Sequence, residues 1–168
     1  MSTELVEAFA DSLGGGATAH VMSVDSFEAT IEDVIEKPAI GTALPFEGVS
    51  LEATDVRTDF SPATLEAAAT GVTPAGMGID GYGTITIQSN PEGAELVSLY
   101  TERHVACLAA SDIEPGMKAA YERLGNEFAD EAVSTVLATG PSATADMGTL
   151  IEGVHGPHDV HVVVLEDR

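Results

Sequence analysis

Tryptophan is absent from this 168-residue chain, aromatic residues make up only 5% of it, and there is a single cysteine. A core with so few rings has to be built from Ala, Val, Leu and Ile, and apolar residues do reach 44%. One cysteine excludes an internal disulfide. It also excludes an iron–sulfur cluster held by this chain alone, which needs about four thiolates. Cys107 lies inside the apolar run HVACLAA, so it reads as a small buried hydrophobe rather than an activated nucleophile.

Basic residues are scarce as well: 6 Lys+Arg stand against 28 Asp+Glu, for a formal net charge of -22. Nucleic acid and anionic membrane surfaces would be repelled, so neither is expected as a partner. No run approaches the roughly 20 apolar residues of a membrane span, so no membrane insertion is expected. The opening MSTELVEAFADSL lacks the basic and apolar regions of a signal peptide, which points to a cytoplasmic protein. Acidic chains are often disordered, but those are poor in aliphatics, whereas here mean hydropathy is +0.14. A folded domain with a carboxylate-rich face fits better, as in a halophile, where salt at about 1 M screens self-repulsion beyond about 3 Å.

The length suits one domain, and neither a repeat nor a linker divides the chain, so residues 1–168 read as a single unit. Helical spacing of Leu5, Val6, Phe9 and Leu13 predicts a first helix stopped at Gly14. FEATIEDVIE predicts a second, ending before Pro38, and Ser61-Pro62 opens a third, ATLEAAAT. A fourth runs from Glu114 to Phe128. ATAHVMSV, VSLEATDV, GTITIQS, HVACLAA, STVLATG and VHVVVLED read as strands. The turn Asn90-Pro91-Glu92-Gly93 suggests that AELVSLY returns as the hairpin partner of GTITIQS. Strands alternating with helices predict a three-layer α/β fold with a largely parallel sheet and a β-hairpin insertion.

Open parallel sheets bind ligands beyond the carboxyl ends of their strands, and three glycine-bearing segments are candidates there. In Gly140–Asp146, small residues let backbone amides converge, and Ser142, Thr144 and Asp146 either cap a following helix or hold a ligand. In Gly153–Pro157, His155 between glycines either serves as an acid or base or bonds the backbone of its own turn. With His158 and His161 it makes a His-x-x-His-x-x-His pattern, to which Asp146 could add a fourth ligand. The spacing fits no zinc template, and no metal is expected. In Gly78–Thr84 the glycines precede a strand rather than opening a helix. That is no dinucleotide fingerprint, and no cofactor is expected. The candidate ligand-binding residues are Gly140, Ser142, Thr144, Asp146, Gly153, His155, Gly156, Gly83 and Thr84. His155 and Asp146 are the candidates for any chemistry. His20 and His104 read as structural, and Arg103 as the neutraliser of a nearby carboxylate.

TGPSATADMGTLIEGVHGPHDVHVVVLED resembles the C-terminal signature of the LUD-domain (lactate utilisation protein C-like) family: Gly-Pro-Ser-x-Thr-Ala-Asp, then Gly-x-His-Gly-Pro, then an apolar strand. GMGIDGYGTITIQSNPEGAELVSLYTERHVACLAASDI is similar to the family's upstream segment, so the resemblance covers roughly residues 71–167. Two places depart from it. Gly81 and Tyr82 stand where many members have an acid and a small hydroxyl residue, with Asp80 one step earlier. Gly148 replaces a Glu. The resemblance implies a NagB/RpiA/CoA-transferase-like fold and involvement in oxidising L-lactate to pyruvate. It implies a cluster-free accessory component whose partners are iron–sulfur subunits. A stand-alone enzyme or binding protein for a small anionic molecule (sugar phosphate, nucleotide or CoA thioester) is the alternative. A regulatory partner with an empty site is a third reading, so whether the chain is an enzyme stays open.

Overall fold

The computed structural model describes residues 3–130, 133–141, 143–146, 149–152 and 156–168, and only the backbone of 130, 143–146 and 149–152. The chain runs α1 (Thr3–Ser12), β1 (Ala17–Met22), α2 (Phe27–Val34), β2 (Ala39–Gly41), β3 (Val56–Arg57) and α3 (Pro62–Glu66). It continues through β4 (Thr70–Pro74), β5 (Met77–Ile79), β6 (Thr84–Gln88), α4 (Ala94–Tyr100), β7 (Arg103–Ala109), β8 (Ile113–Glu114) and α5 (Gly116–Asp130). The last elements are β9 (Thr135–Thr139), β10 (Ala143–Asp146), β11 (Thr149–Glu152) and β12 (Asp159–Leu165). The helix starts follow local chemistry. At α3, the Ser61 side chain accepts from the Thr64 amide and Pro62 takes the first turn, where a missing N–H costs nothing.

Six strands form a wholly parallel sheet in the order β1-β12-β7-β4-β2-β3. β7 and β12 lie inside it, which is why HVACLAA and VHVVVLED are almost uninterruptedly apolar. Alternation divides their side chains between two cores. Val105, Cys107, Val163 and Leu165 pack with Phe27, Ile31 and Val34 of α2. Ala106, Leu108, Val162 and Val164 pack with Val6 and Phe9 of α1 and with Ile85 and Ile87 of β6. The layered α/β class, with helices against a mostly parallel sheet, is the one expected. A second sheet, β8-β5-β6-β9, and the antiparallel pair β10–β11 complete it.

Several expectations are overturned. AELVSLY is the helix α4, not the partner strand of a hairpin. Gly93 turns through a left-handed φ of 82° and the Asn90 side chain accepts from the Ala94 amide, so Ala94, Val97 and Ser98 share one buried stripe. The antiparallel partners of β6 are instead β5 and β9. Of VSLEATDV only its last residue, Val56, is in a strand, the two-residue β3. The glycine-rich stretch after Gly71 contributes an interior strand to each sheet, β4 to the larger and β5 to the smaller. STVLATG belongs to that smaller sheet and is half-exposed rather than buried. Among the described residues no helix follows Gly140–Asp146: Ala143–Asp146 pairs in antiparallel register with Thr149–Glu152.

All six Lys and Arg side chains sit in ion pairs with carboxylates. Most of the 28 acids therefore repel one another across solvent. Thermal unfolding should shift upward between about 0.01 M and about 1 M KCl, as the screening length falls from about 30 Å to about 3 Å. An unchanged melting temperature would remove salt adaptation as the reason for the charge. Among the described residues, no helix is long and apolar enough to cross a membrane.

Candidate functional site

A cavity of about 320 Å³ lies between the two sheets. Val160 and Val162 of β12 and His104 of β7 form one wall, and Ile85 and Ile87 of β6 with Val136 and Ala138 of β9 form the other. Gly83, Gly140 and Gly156, taken from all three glycine-bearing segments, meet at it. The cavity lies at the opposite end of the sheet from the carboxyl ends of the parallel strands, where a site was expected. Ala17, His104 and Val160 belong to the amino ends of β1, β7 and β12. The smaller sheet packs over that end, so the space is a slot between sheets rather than a crevice above strand tips.

The close approach permitted by Gly83 is to the protein itself. At φ +58°, a Cβ there would stand 2.5 Å from the Ser12 carbonyl oxygen and 2.8 Å from the Leu13 Cα. Glycine thus lets β6 touch the end of α1, which brings Leu13 to the cavity wall. Pro141 closes the other side: a Cβ on Gly16 would meet its Cγ at 2.6 Å.

His104 lines the cavity and is only 3% exposed, although its place in the sequence reads as structural. Its Nε2 lies 2.8 Å from the Thr73 hydroxyl. Burial pushes its pKa down to about 4, so the ring is neutral at physiological pH. The one signal for it was its position next to Arg103 at the start of an apolar strand, where alternation sends the two side chains to opposite faces.

Other predicted residues fall differently. Thr84 does not line the cavity; its hydroxyl meets that of Thr139 at 2.7 Å and ties β6 to β9. Ser142, Gly153 and His155 lie outside the described residues, as do the side chains of Thr144 and Asp146, whose backbone belongs to β10. His158 is exposed. His161 points away from the cavity: its Nδ1 lies 2.8 Å from Nε2 of His20. The ring centroids are 5.1 Å apart with planes at 18°, too far for face-to-face stacking at that contact, so the imidazoles meet edge to edge. Burial first, and then the neighbouring His161, lowers the pKa of His20.

Beyond His161, Asp159 binds Arg103, whose Nε lies 2.6 Å from Asp159 Oδ2. Arg103 also pairs with Glu36 at 2.9 Å and donates to the Val34 carbonyl at the end of α2. It is a structural clamp between carboxylates. Partial burial pushes Asp159 upward, but hydrogen bonds and charge from Arg103 and His161 outweigh it and leave the carboxyl below its ordinary pKa. Among the described residues, no cluster of three or more His, Cys, Asp or Glu side chains could hold a metal ion.

A description of the LUD domain matches residues 3–165, beyond the segment on which the motif resemblance rests. The chain belongs to the LUD domain family. This LUD domain is 26% identical over 163 residues to the lactate utilization protein C of Macrococcus caseolyticus (strain JCSC5402), covering 87% of this chain and 71% of that one. Its identity to the lactate utilization protein C of Bacillus licheniformis is 33% over 107 residues, covering 61% of this chain and 45% of the relative. The corresponding protein of Oceanobacillus iheyensis matches at 27% over 105 residues, again across 45% of its length. The crystal structure of a DUF162 family protein from Deinococcus radiodurans superimposes with a TM-score of 0.71 at 20% identity, covering 99% of each chain, a likeness of fold.

Proposed function

We propose that this LUD domain works in lactate utilisation as a cluster-free accessory component of an iron–sulfur L-lactate-oxidising complex, with the cavity between its sheets as its ligand site. The observation that carries the reading is a family match along almost the whole chain, joined to relatives named lactate utilization protein C. The cysteine chemistry agrees with it. Cys107 is fully buried against α2 and burial raises its thiol pKa far above the usual range, so it offers no thiolate to a cluster. Electrons would have to be carried by partner subunits. Tagged protein purified from its own cells should retain iron–sulfur subunits, and deletion of the gene should impair growth on L-lactate. Purification without such partners, together with unimpaired growth, would remove the proposal.

The alternative of a stand-alone site for a small anion has less support. Every Lys and Arg lies within the described residues, and none lines the cavity. The carboxyl-end cleft is worse for an anion, because Glu7, Asp11, Glu166 and Asp167 line it.

A further inference from the structure

We infer that the cavity takes an uncharged, flat, mainly apolar molecule bearing a carbonyl group, and that His104 is the residue that binds that carbonyl. The inference rests on the cavity being the ligand site proposed above and names the class of ligand it admits.

Charge is the first argument. Strand alternation aims His104, Val160 and Val162 into the cavity and their neighbours Arg103, Asp159 and His161 to the opposite face. The nearest cation is thereby turned away and neutralised by Asp159 and Glu36. A carboxylate entering the cavity would shed water and meet no positive charge from any Lys or Arg, which disfavours an ion there. The lactate anion would find no Lys or Arg partner there.

Shape and polarity are the second. The walls are Ile85, Ile87, Val136, Ala138, Val160 and Val162, carried on two facing sheets. A slot between sheets suits a flat ring, and mostly apolar walls with few polar groups are the usual make-up of a small-molecule site. His104 supplies the polar contact. When the Thr73 hydroxyl donates to Nε2, the ring proton sits on Nδ1, which becomes a donor for a carbonyl oxygen. Ser98 also lines the cavity, but its hydroxyl already donates to the Glu95 carbonyl at 2.8 Å, which leaves it an acceptor role.

A matched pair of probes tests this: acetophenone, a neutral aromatic ketone, and benzoate, an anion of similar size. Titration is followed by NMR of the Ile and Val methyl groups and the His rings in about 1 M KCl, where the repulsion of anions by the acidic surface is screened. Acetophenone should shift resonances of Ile85, Ile87, Val160 and His104, and benzoate should bind at least tenfold more weakly, about 1.4 kcal/mol. His104→Gln should weaken acetophenone about fivefold. Ala138→Phe, which fills the space, should abolish the shifts while its melting transition shows that it still folds. Equal or tighter binding of benzoate, no shift with acetophenone, or shifts that persist in Ala138→Phe would each overturn the inference. None of these results bears on co-purification with iron–sulfur subunits, so the two proposals fail separately.

Discussion

Replacing Phe9 by Ala is expected to cost about 4 kcal/mol of stability. The ring is 0% exposed and belongs to the core formed by β6, β7 and β12. It also lies close against β5: a Cβ on Gly78 would come within 3.1 Å of its Cε2. One side chain of α1 thus holds the larger sheet to the smaller one. Its removal leaves a void that two sheets cannot readily collapse to fill, because each is held rigid by its own ladder of hydrogen bonds. The end of α1 carries Leu13 to the cavity wall, so the same substitution should loosen the ligand site. Denaturant unfolding of the parent and variant measures the cost. A loss below about 1 kcal/mol would mean that α1 is not the element joining the sheets.

The second large effect concerns pH. His104 has a pKa of about 4 in the folded protein against 6.5 when exposed, because burial disfavours its charged form. As pH falls below 6.5 the unfolded chain takes up a proton that the folded chain refuses, so stability is lost progressively down to about pH 4 and no further below it. A shift of this size corresponds to about 3 kcal/mol. His20, lowered by burial and by His161, acts in the same direction, whereas the depressed Asp159 contributes only below its ordinary carboxyl range. Protonation of surface carboxylates relieves repulsion and acts oppositely, so the comparison must isolate one residue. In about 1 M KCl, the parent should lose about 3 kcal/mol more than His104→Gln between pH 7 and pH 4. Parallel pH profiles for the two proteins would contradict a buried neutral imidazole.

Much of the framework was readable from local patterns. HVACLAA and VHVVVLED carry no polar alternation, which suits only strands covered on both faces, and they are interior strands of the larger sheet. Ser61-Pro62 opens a helix, and Phe9 lies on a helical stripe. AELVSLY was not readable, because seven residues satisfy both periods. Its helical state is settled by a distant partner: Val97 packs with Ile40, over a strand whose Gly71 leaves room for it. A Cβ on Gly71 would stand 2.6 Å from the Val97 carbonyl oxygen. The same residue hid β4, since a Thr-Gly-Val-Thr-Pro segment has little strand character until a helix covers it.

The candidate site divides in the same way. Its glycines were identified from turn chemistry, and Gly83, Gly140 and Gly156 do converge on one cavity. Composition and periodicity suffice for the class of the core, the charge of the surface, the helix starts and the alternation that sends neighbouring strand residues to opposite faces. The packing of the second sheet sets where this cavity lies along the parallel sheet and turns His104 into it, away from every Lys and Arg. The physical reason is that a strand's alternation says two residues face apart, but not which second sheet comes to lie over either of them.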